Sequence, residues 1–369
     1  MQDARHNRKG RPRSRPDNSE GSVRVGPLAG IVTVMRELGV DPENVLEQFG
    51  FTTVQFEDPD FEISYVTASR LLACCAKATQ CPHFGLLVGR HARPSSLGIP
   101  GFLLLNAPDV GTALSVLVQN LDLHDQGGVP VVEIQGSSTF LGYVIHQARV
   151  EATDTIYDIS IAIGCGIMRS LCGASWNPAE VLFSRRPPAD LRPYRQFYRA
   201  PLQFDMDRNA IVFPSHWMNH RVPGADTLLH RHLEREADQL HMLRQANITS
   251  DTRRLLRTSI MTGNCTISDI AAQLCMHERT LHRRLREEGT SFQLELDAVR
   301  YDVARQLLAG SAMPIARIAE TLNYSGVSAF NRAFKRWAGF TPAYWRTRNA
   351  SSSPAHVRSS TDRQTDTTS

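Results

Sequence analysis

The sequence predicts two successive folds: an α+β domain, followed by an all-α domain built from two helix-turn-helix units. Three observations predict this. Apolar residues recur at helical spacing over most of the chain, but change to short β-branched and aromatic runs between Pro130 and Phe213. From Thr249 onward the spacing is helical throughout, and the segment repeats itself at an interval of 48 to 49 residues. Charge divides in the same place. Residues 249–348 hold 15 Lys/Arg against 9 Asp/Glu, a net of +6, whereas residues 22–248 hold 18 against 23, a net of −5. A basic third beside an acidic middle suggests that one part meets a polyanion and the other does something else.

Length and composition set the frame. The 369 residues suffice for two or three domains, and 41% hydrophobic with 21% charged residues is the balance of a soluble globular chain. Seven cysteines form no C-x-x-C pair and are odd in number, so neither a zinc site nor a disulfide framework can be read from them. They are expected to be small apolar residues in a reducing cytoplasm. The Arg-rich N-terminus lacks the apolar core of a secretory signal. The longest apolar stretches, such as Ile99–Leu105, read as far too short to span a membrane.

The elements follow in order. Residues 1–21 form a polar basic arm with Arg5, Arg8, Lys9, Arg11, Arg13 and Arg15, which is expected to be disordered and either touches DNA phosphates or only solvates. Helical spacing covers Pro27–Leu38, Val45–Phe49, Val66–Ala78, Gly98–Asn106 and Val110–Leu123. Pro130–Ile134 and Thr139–His146 read as a hairpin around Gly136-Ser137-Ser138. Ala152–Leu171 is apolar almost throughout and should be a buried helix. Short strands are expected at Glu180–Ser184, Leu202–Phe204 and Ala210–Phe213. Together these make an α+β domain over residues 22–221. Residues 222–248 form a linker helix in which Leu229, Leu233, Leu240 and Leu243 lie near one face, as a connector or a dimer seam. Residues 249–348 form the helical domain, and 349–369 a polar tail expected to be disordered.

The repeat carries the function. Ile267, Ile270, Ala271 and Leu274 recur as Ile315, Ile318, Ala319 and Leu322; Leu281, Arg283 and Leu285 recur as Phe330, Arg332 and Phe334. Each unit reads as helix, tight turn, helix. The pairs are Ser268–Cys275 with Glu278–Glu288, and Ile315–Leu322 with Gly326–Trp337. Ser325 is placed to cap the last helix, and Asn323 suits a left-handed turn. Leu281 and Leu285 must face inward, which turns Arg279, His282, Arg283 and Arg286 outward, with Thr280 at the edge. Phe330 and Phe334 must likewise face inward, which exposes Ser328, Asn331, Arg332 and Lys335. Arg bonds guanine bidentately, Asn does so with adenine, and Lys or Ser reaches bases or phosphates. One such face is an ordinary solvated helix. Two at equivalent positions in a basic domain indicate recognition helices for the DNA major groove. Between the units, Ser291–Ala309 should be one amphipathic helix setting their spacing.

These residues carry a resemblance. The runs IAAQLCMHERTLHRRLREEGTSF, AVRYDVARQLL and IARIAETLNYSGVSAFNRAFKRWAGFTPAYWR, over about a hundred residues, resemble the DNA-binding domain of the AraC/XylS family of bacterial transcription regulators. His277 stands where that family usually has a capping Ser, and Asn323-Tyr324 replaces its usual Gly-Phe. The runs GIPGFLLLNAPDVGTALSVL, WNPAEVLFSRRPPADLRPYRQFY and APLQFDMDRNAIVFP resemble the arabinose-binding-like effector and dimerisation domain of one branch of that family. The resemblance implies promoter DNA, RNA polymerase, a small-molecule effector and a second copy of the chain as partners, and an activator in the cytoplasm. It implies no sugar specificity, and the effector-binding residues are not legible.

Other constellations carry less. His216 and His220 have i, i+4 spacing, with no third metal ligand evident nearby. Neither a phosphate loop, a dinucleotide fingerprint nor a nucleophile elbow is present, so no enzyme, cofactor or metal is expected. Trp176, Tyr143 and Phe140 either line a ligand pocket or pack as core. Two other functions compete. A DNA-repair alkyltransferase that also regulates needs an activated Cys in a recognisable motif. An architectural DNA binder has no use for a large mixed-fold middle domain.

Overall fold

The computed structural model describes residues 21–147, 149–243, 247–262, 265–274 and 276–350. The expectations for the basic arm and the polar tail fall almost wholly on residues outside these.

Alternation builds the sheet of the first domain. In β4 (Ser138–Ile145), Thr139, Leu141, Tyr143 and Ile145 are buried while the residues between them are half-buried, the period-2 pattern of a strand with one face on a core. Its partner across the turn at Gly136 is β3 (Gly128–Gln135). The strands β5 (Glu180–Leu182), β6 (Leu202–Gln203) and β7 (Ala210–Pro214) complete a five-stranded sheet in the order β3-β4-β7-β5-β6. Leu141 lies opposite both Val132 and Ile211, and only β5 and β6 run parallel. A second, two-stranded sheet pairs β1 (Ser22–Arg24) with β2 (Glu62–Ser64).

Among the described residues six α-helices precede the hairpin: α1 (Gly30–Glu37), α2 (Glu43–Leu46), α3 (Tyr65–Thr79), α4 (Phe84–His91), α5 (Ile99–Leu105) and α6 (Val110–Asn120). The caps explain two of the starts. Ser64 accepts the Thr67 N–H at 3.4 Å, and Asp109 accepts the Thr112 N–H at 2.8 Å. The domain closes around α7 (Thr153–Cys172), which touches β4 and β7 as well as α3 and α4. This helix corrects one expectation, because its 20 residues are long and apolar enough to cross a membrane by length and composition. Its apolar side chains, Ile156, Ile159, Ile161, Ile167, Met168 and Leu171 among them, are buried in the domain core.

A buried ion pair pins the loop after β5. Arg185 Nη2 donates to both oxygens of Asp158 on α7, at 2.7 and 3.0 Å, and to the Tyr194 hydroxyl at 2.8 Å. Tyr194 belongs to α8 (Arg192–Tyr198) and donates to Asp158 Oδ2 at 2.6 Å. The Arg185 guanidinium also lies over the rings of Phe183 and Tyr194.

The linker helix α9 (Thr227–Leu243) packs on α5. Its inward residues are His230 and Ala237, and Leu233 is half-buried against the core of its own domain. Leu228, Leu229, Met242 and Leu243 are instead exposed, Met242 and Leu243 at 84% and 81%. Of the four leucines of that face, Leu233 and Leu240 are half-buried, while Leu229 and Leu243 are exposed.

Among the described residues seven helices form the second domain: α10 (Ile248–Thr262), α11 (Ile267–Gln273), α12 (Glu278–Glu287), α13 (Phe292–Gly310), α14 (Ile315–Thr321), α15 (Val327–Ala338) and α16 (Pro342–Ala350). They enclose a hydrophobic core of their own, with Leu256, Leu281, Leu285, Phe330 and Phe334 fully buried. The two domains meet through α10 against β3 and through the C-terminal end of α13. There the Arg186 N–H donates to Gly310 O at 2.9 Å, and the Ala312 N–H donates to Asp205 Oδ1 at 2.6 Å. His146 is buried just beyond β4. Burial first, then the positive field of Arg257, Arg254 and Arg253 on α10, holds its imidazole down at a pKa of about 3.

Candidate nucleic-acid interface

The internal repeat reappears as matched turn geometry. In the first unit the Leu274 N–H donates to Ile270 O at 3.1 Å and the Met276 N–H to Ala271 O at 2.9 Å. In the second, 48 residues on, the Leu322 N–H donates to Ile318 O at 3.0 Å and the Tyr324 N–H to Ala319 O at 2.9 Å. The same bonds hold the same turn twice, so α12 and α15 leave their supporting helices in the same way. Asn323 takes the left-handed conformation, φ 56°, and its Nδ2 donates to Ile260 O on α10 at 3.2 Å.

Caps set where the helices begin. Thr266 and Asp269 form a reciprocal capping box at α11. His277 precedes α12 without a side-chain cap, as the family comparison of its position implied. Ser325 does not cap α15. The cap residue is Gly326, with no side-chain bond, because the chain reaches the helix in an extended conformation one residue later than expected. Ser291 caps α13 by accepting the Leu294 N–H at 3.3 Å.

Amphipathicity then fixes the outward faces. Leu281, Leu285, Phe330 and Phe334 are wholly buried. Arg279, His282, Arg283 and Arg286 on α12 are exposed, as are Ser328, Arg332 and Lys335 on α15. Thr280 and Asn331 are half-buried at the edges of these faces. Arg283 is engaged with Glu287 one turn later at 2.7 Å. Both side chains are mostly exposed, and such an i, i+4 pair contributes only about 0.3–0.5 kcal/mol, so a DNA phosphate or base edge displaces it at small cost. Arg336, on the flank of α15, reaches Asp297 of α13 at 2.8 Å and ties the second unit to the spacer. An aromatic cluster locks α15 from beneath, with Phe334 in ring contact with Tyr301, Phe330, Trp337 and Trp345.

The comparisons with known proteins agree with this geometry. Residues 39–222 match the model of the arabinose-binding domain of AraC transcription regulators, and residues 270–348 match a helix-turn-helix domain model. The chain belongs to the AraC family. This regulator is 28% identical to the HTH-type transcriptional regulator VirS of Mycobacterium tuberculosis, over 88% of its own length and 96% of VirS. It is 24% identical to the ornithine utilization regulator of Pseudomonas aeruginosa over the same shares of each chain. Among solved structures, the transcriptional regulator CdpR from Pseudomonas aeruginosa aligns with 87% of this chain and 98% of its own, at 21% identity and a TM-score of 0.43. The AraC regulator is thus a DNA-binding transcription regulator, and its relatives are regulators rather than enzymes.

The other sequence candidates are placed as follows. His216 stacks on Trp217, which His220 meets edge-on, and among the described residues no group of three or more His, Cys, Asp or Glu is arranged to hold a metal. Trp176 is core, packed against Phe213. Tyr143 lines a cavity inside the first domain, and Phe140 lines a separate one between the domains. Sequence reasoning missed the polar groups around Tyr143, namely Tyr65, His124 and Asp125, because they are far apart in the chain.

Proposed function

We propose that this AraC regulator reads promoter DNA by placing α12 and α15 in two successive major grooves, and that a small molecule in its first domain changes how tightly it holds the promoter. One observation carries the DNA reading: two helix-turn-helix units with matching turn hydrogen bonds present donor-rich faces from one domain. The spacer α13, with 19 residues, is about 28 Å long. That length is commensurate with the roughly 34 Å between successive major grooves on one DNA face. Arg279, His282, Arg283 and Arg286 would meet one groove, and Ser328, Asn331, Arg332 and Lys335 the next. In Arg283→Ala and Arg332→Ala, binding to the cognate promoter is expected to weaken by about 1–3 kcal/mol each, with a smaller loss on unrelated DNA. Gel-shift titration at fixed salt measures both. Two variants that bind the promoter like the parent protein would remove α12 and α15 from the grooves.

The same proposal takes the regulator as a cytoplasmic dimer that activates transcription by contact with RNA polymerase. The exposed Leu228, Leu229, Met242 and Leu243 of α9 support the dimer, since linking two DNA-binding copies raises avidity without new base contacts. Sedimentation velocity should show a dimer that Leu229→Asp with Leu243→Asp converts to monomer. A parent protein that sediments as a monomer at micromolar concentration, with and without promoter DNA, overturns this part.

A further inference from the structure

The first domain holds a cavity of about 100 Å³, open at its mouth, between β4, α3, α6 and α7. A void of that order has room for a small apolar group. Its walls are apolar, formed by Leu72, Leu117, Leu141, Ile159, Ile163 and Ile167. Polar groups also line it, and all but one of them are already engaged. Asp125 Oδ1 accepts the N–H groups of Gly127 and Gly128 at 2.8 and 3.2 Å, while its Oδ2 accepts the Tyr143 hydroxyl. The Tyr143 and Tyr65 hydroxyls lie 3.1 Å apart, and Ser160 Oγ donates to Ile156 O at 2.9 Å. The glycines are required for this arrangement. A Cβ at Gly127 would stand 2.0 Å from the Tyr65 ring, and one at Gly128 would stand 2.0 Å from the Tyr143 hydroxyl.

His124 is the exception. It lines the cavity, is 4% exposed, and neither of its ring nitrogens has a hydrogen-bond partner among the described residues. An unmatched buried polar group is destabilising, so the fold gains nothing by keeping it there alone. Burial, with the nearby positive charge of Arg24, holds the imidazole neutral, with a pKa of about 3. One ring nitrogen therefore donates and the other accepts. Among the described residues no Lys or Arg lines the cavity, and its one lining carboxylate already accepts three hydrogen bonds. A charged ligand would lose its hydration here without compensation.

We propose that this cavity is the effector site, and that it takes an uncharged, mainly apolar small molecule whose single hydrogen-bonding end seats on His124. The inference rests on the reading of the chain as a ligand-responsive regulator. The route outward is short. Gly142 and Tyr143 also line the second cavity, whose far wall is Val303, Gln306 and Leu307 of α13. A ligand that displaces Tyr143 thus presses on the strand that faces the spacer between the two DNA-binding units.

The test uses the full chain and a neutral apolar fluorophore, N-phenyl-1-naphthylamine, displaced in turn by decanol, decanoate, decylamine and L-arabinose at neutral pH. The dye should brighten on binding, and decanol should displace it at a concentration at least about tenfold below the two charged chains or the sugar. An added Cβ at Gly164 meets only Leu141, at 3.7 Å, so Gly164→Leu is expected to fold with the cavity filled and to lose dye binding. In His124→Phe the dye should still bind, while decanol weakens about tenfold. Unchanged dye binding in Gly164→Leu overturns the proposal, as does displacement led by decylamine, decanoate or arabinose. A promoter footprint on the same samples separates the two readings. An intact footprint without cavity binding removes the effector site alone, whereas absence of any footprint removes the regulator reading beneath it.

Discussion

Asp158→Ala is expected to destabilise the first domain by about 3–5 kcal/mol, because it leaves the buried Arg185 guanidinium without its counter-charge. The pair is 8% and 2% exposed at its side chains, so water does not replace the missing carboxylate. The Tyr194 hydroxyl loses its acceptor in the same step. Urea denaturation followed by tryptophan fluorescence measures the change. A loss below about 1 kcal/mol would mean that the guanidinium finds another route to solvent, and the pinning role of Asp158 would fall. A second readout follows from the position of the loop. Arg186, next in the chain, donates to Gly310 at the end of α13, so limited proteolysis between the domains should quicken in the variant even where both domains remain folded.

The second large effect belongs to the other core. Phe334→Ala is expected to cost about 3–5 kcal/mol, the range for emptying a fully buried aromatic site. Phe334 is 0% exposed and touches the rings of Tyr301, Phe330, Trp337 and Trp345, so several elements lose packing together. Phe334→Leu fills most of the space and should cost about 1 kcal/mol. Circular dichroism during chemical denaturation measures both. Promoter binding should fall with the Ala variant and survive in the Leu variant, since neither change touches the outward face of α15. Equal loss of stability in the two would show that the aromatic cluster is not what holds the helix.

Much of this second domain was legible because its information is local. Leu281, Leu285, Phe330 and Phe334 repeat at a period that only a helix satisfies, and the outward residues follow by geometry. The long hairpin was legible for the same reason. The three-residue strands β1 and β2 are too short to show a period, and α4, with glycines at 85 and 89, and α8, opened by Arg192-Pro193, lack the usual helix signals. Ser325 looked like a cap because capping is read from residue type, whereas the bond depends on where the chain turns. Leu233 looked like a seam residue because spacing along α9 cannot say which side meets its own domain. The cavity was the least accessible to sequence. Tyr65, His124, Tyr143 and Ser160 share no period, and only tertiary packing brings them to the walls of one void.

The two hydrogen bonds that reach Gly310 and Ala312 fall between the helix-turn-helix units rather than before the first of them. The first domain therefore grips the reading head at its waist. That grip adds to the contact of α10 with β3 ahead of the first unit, and it bears on the angle of the second. It also works in reverse. Equilibrium linkage is reciprocal, so whatever factor the first domain imposes on promoter affinity, a promoter that fixes the angle of the second unit imposes on the first domain. Different promoters, by holding that waist differently, would set different thresholds for the same signal in the same cell.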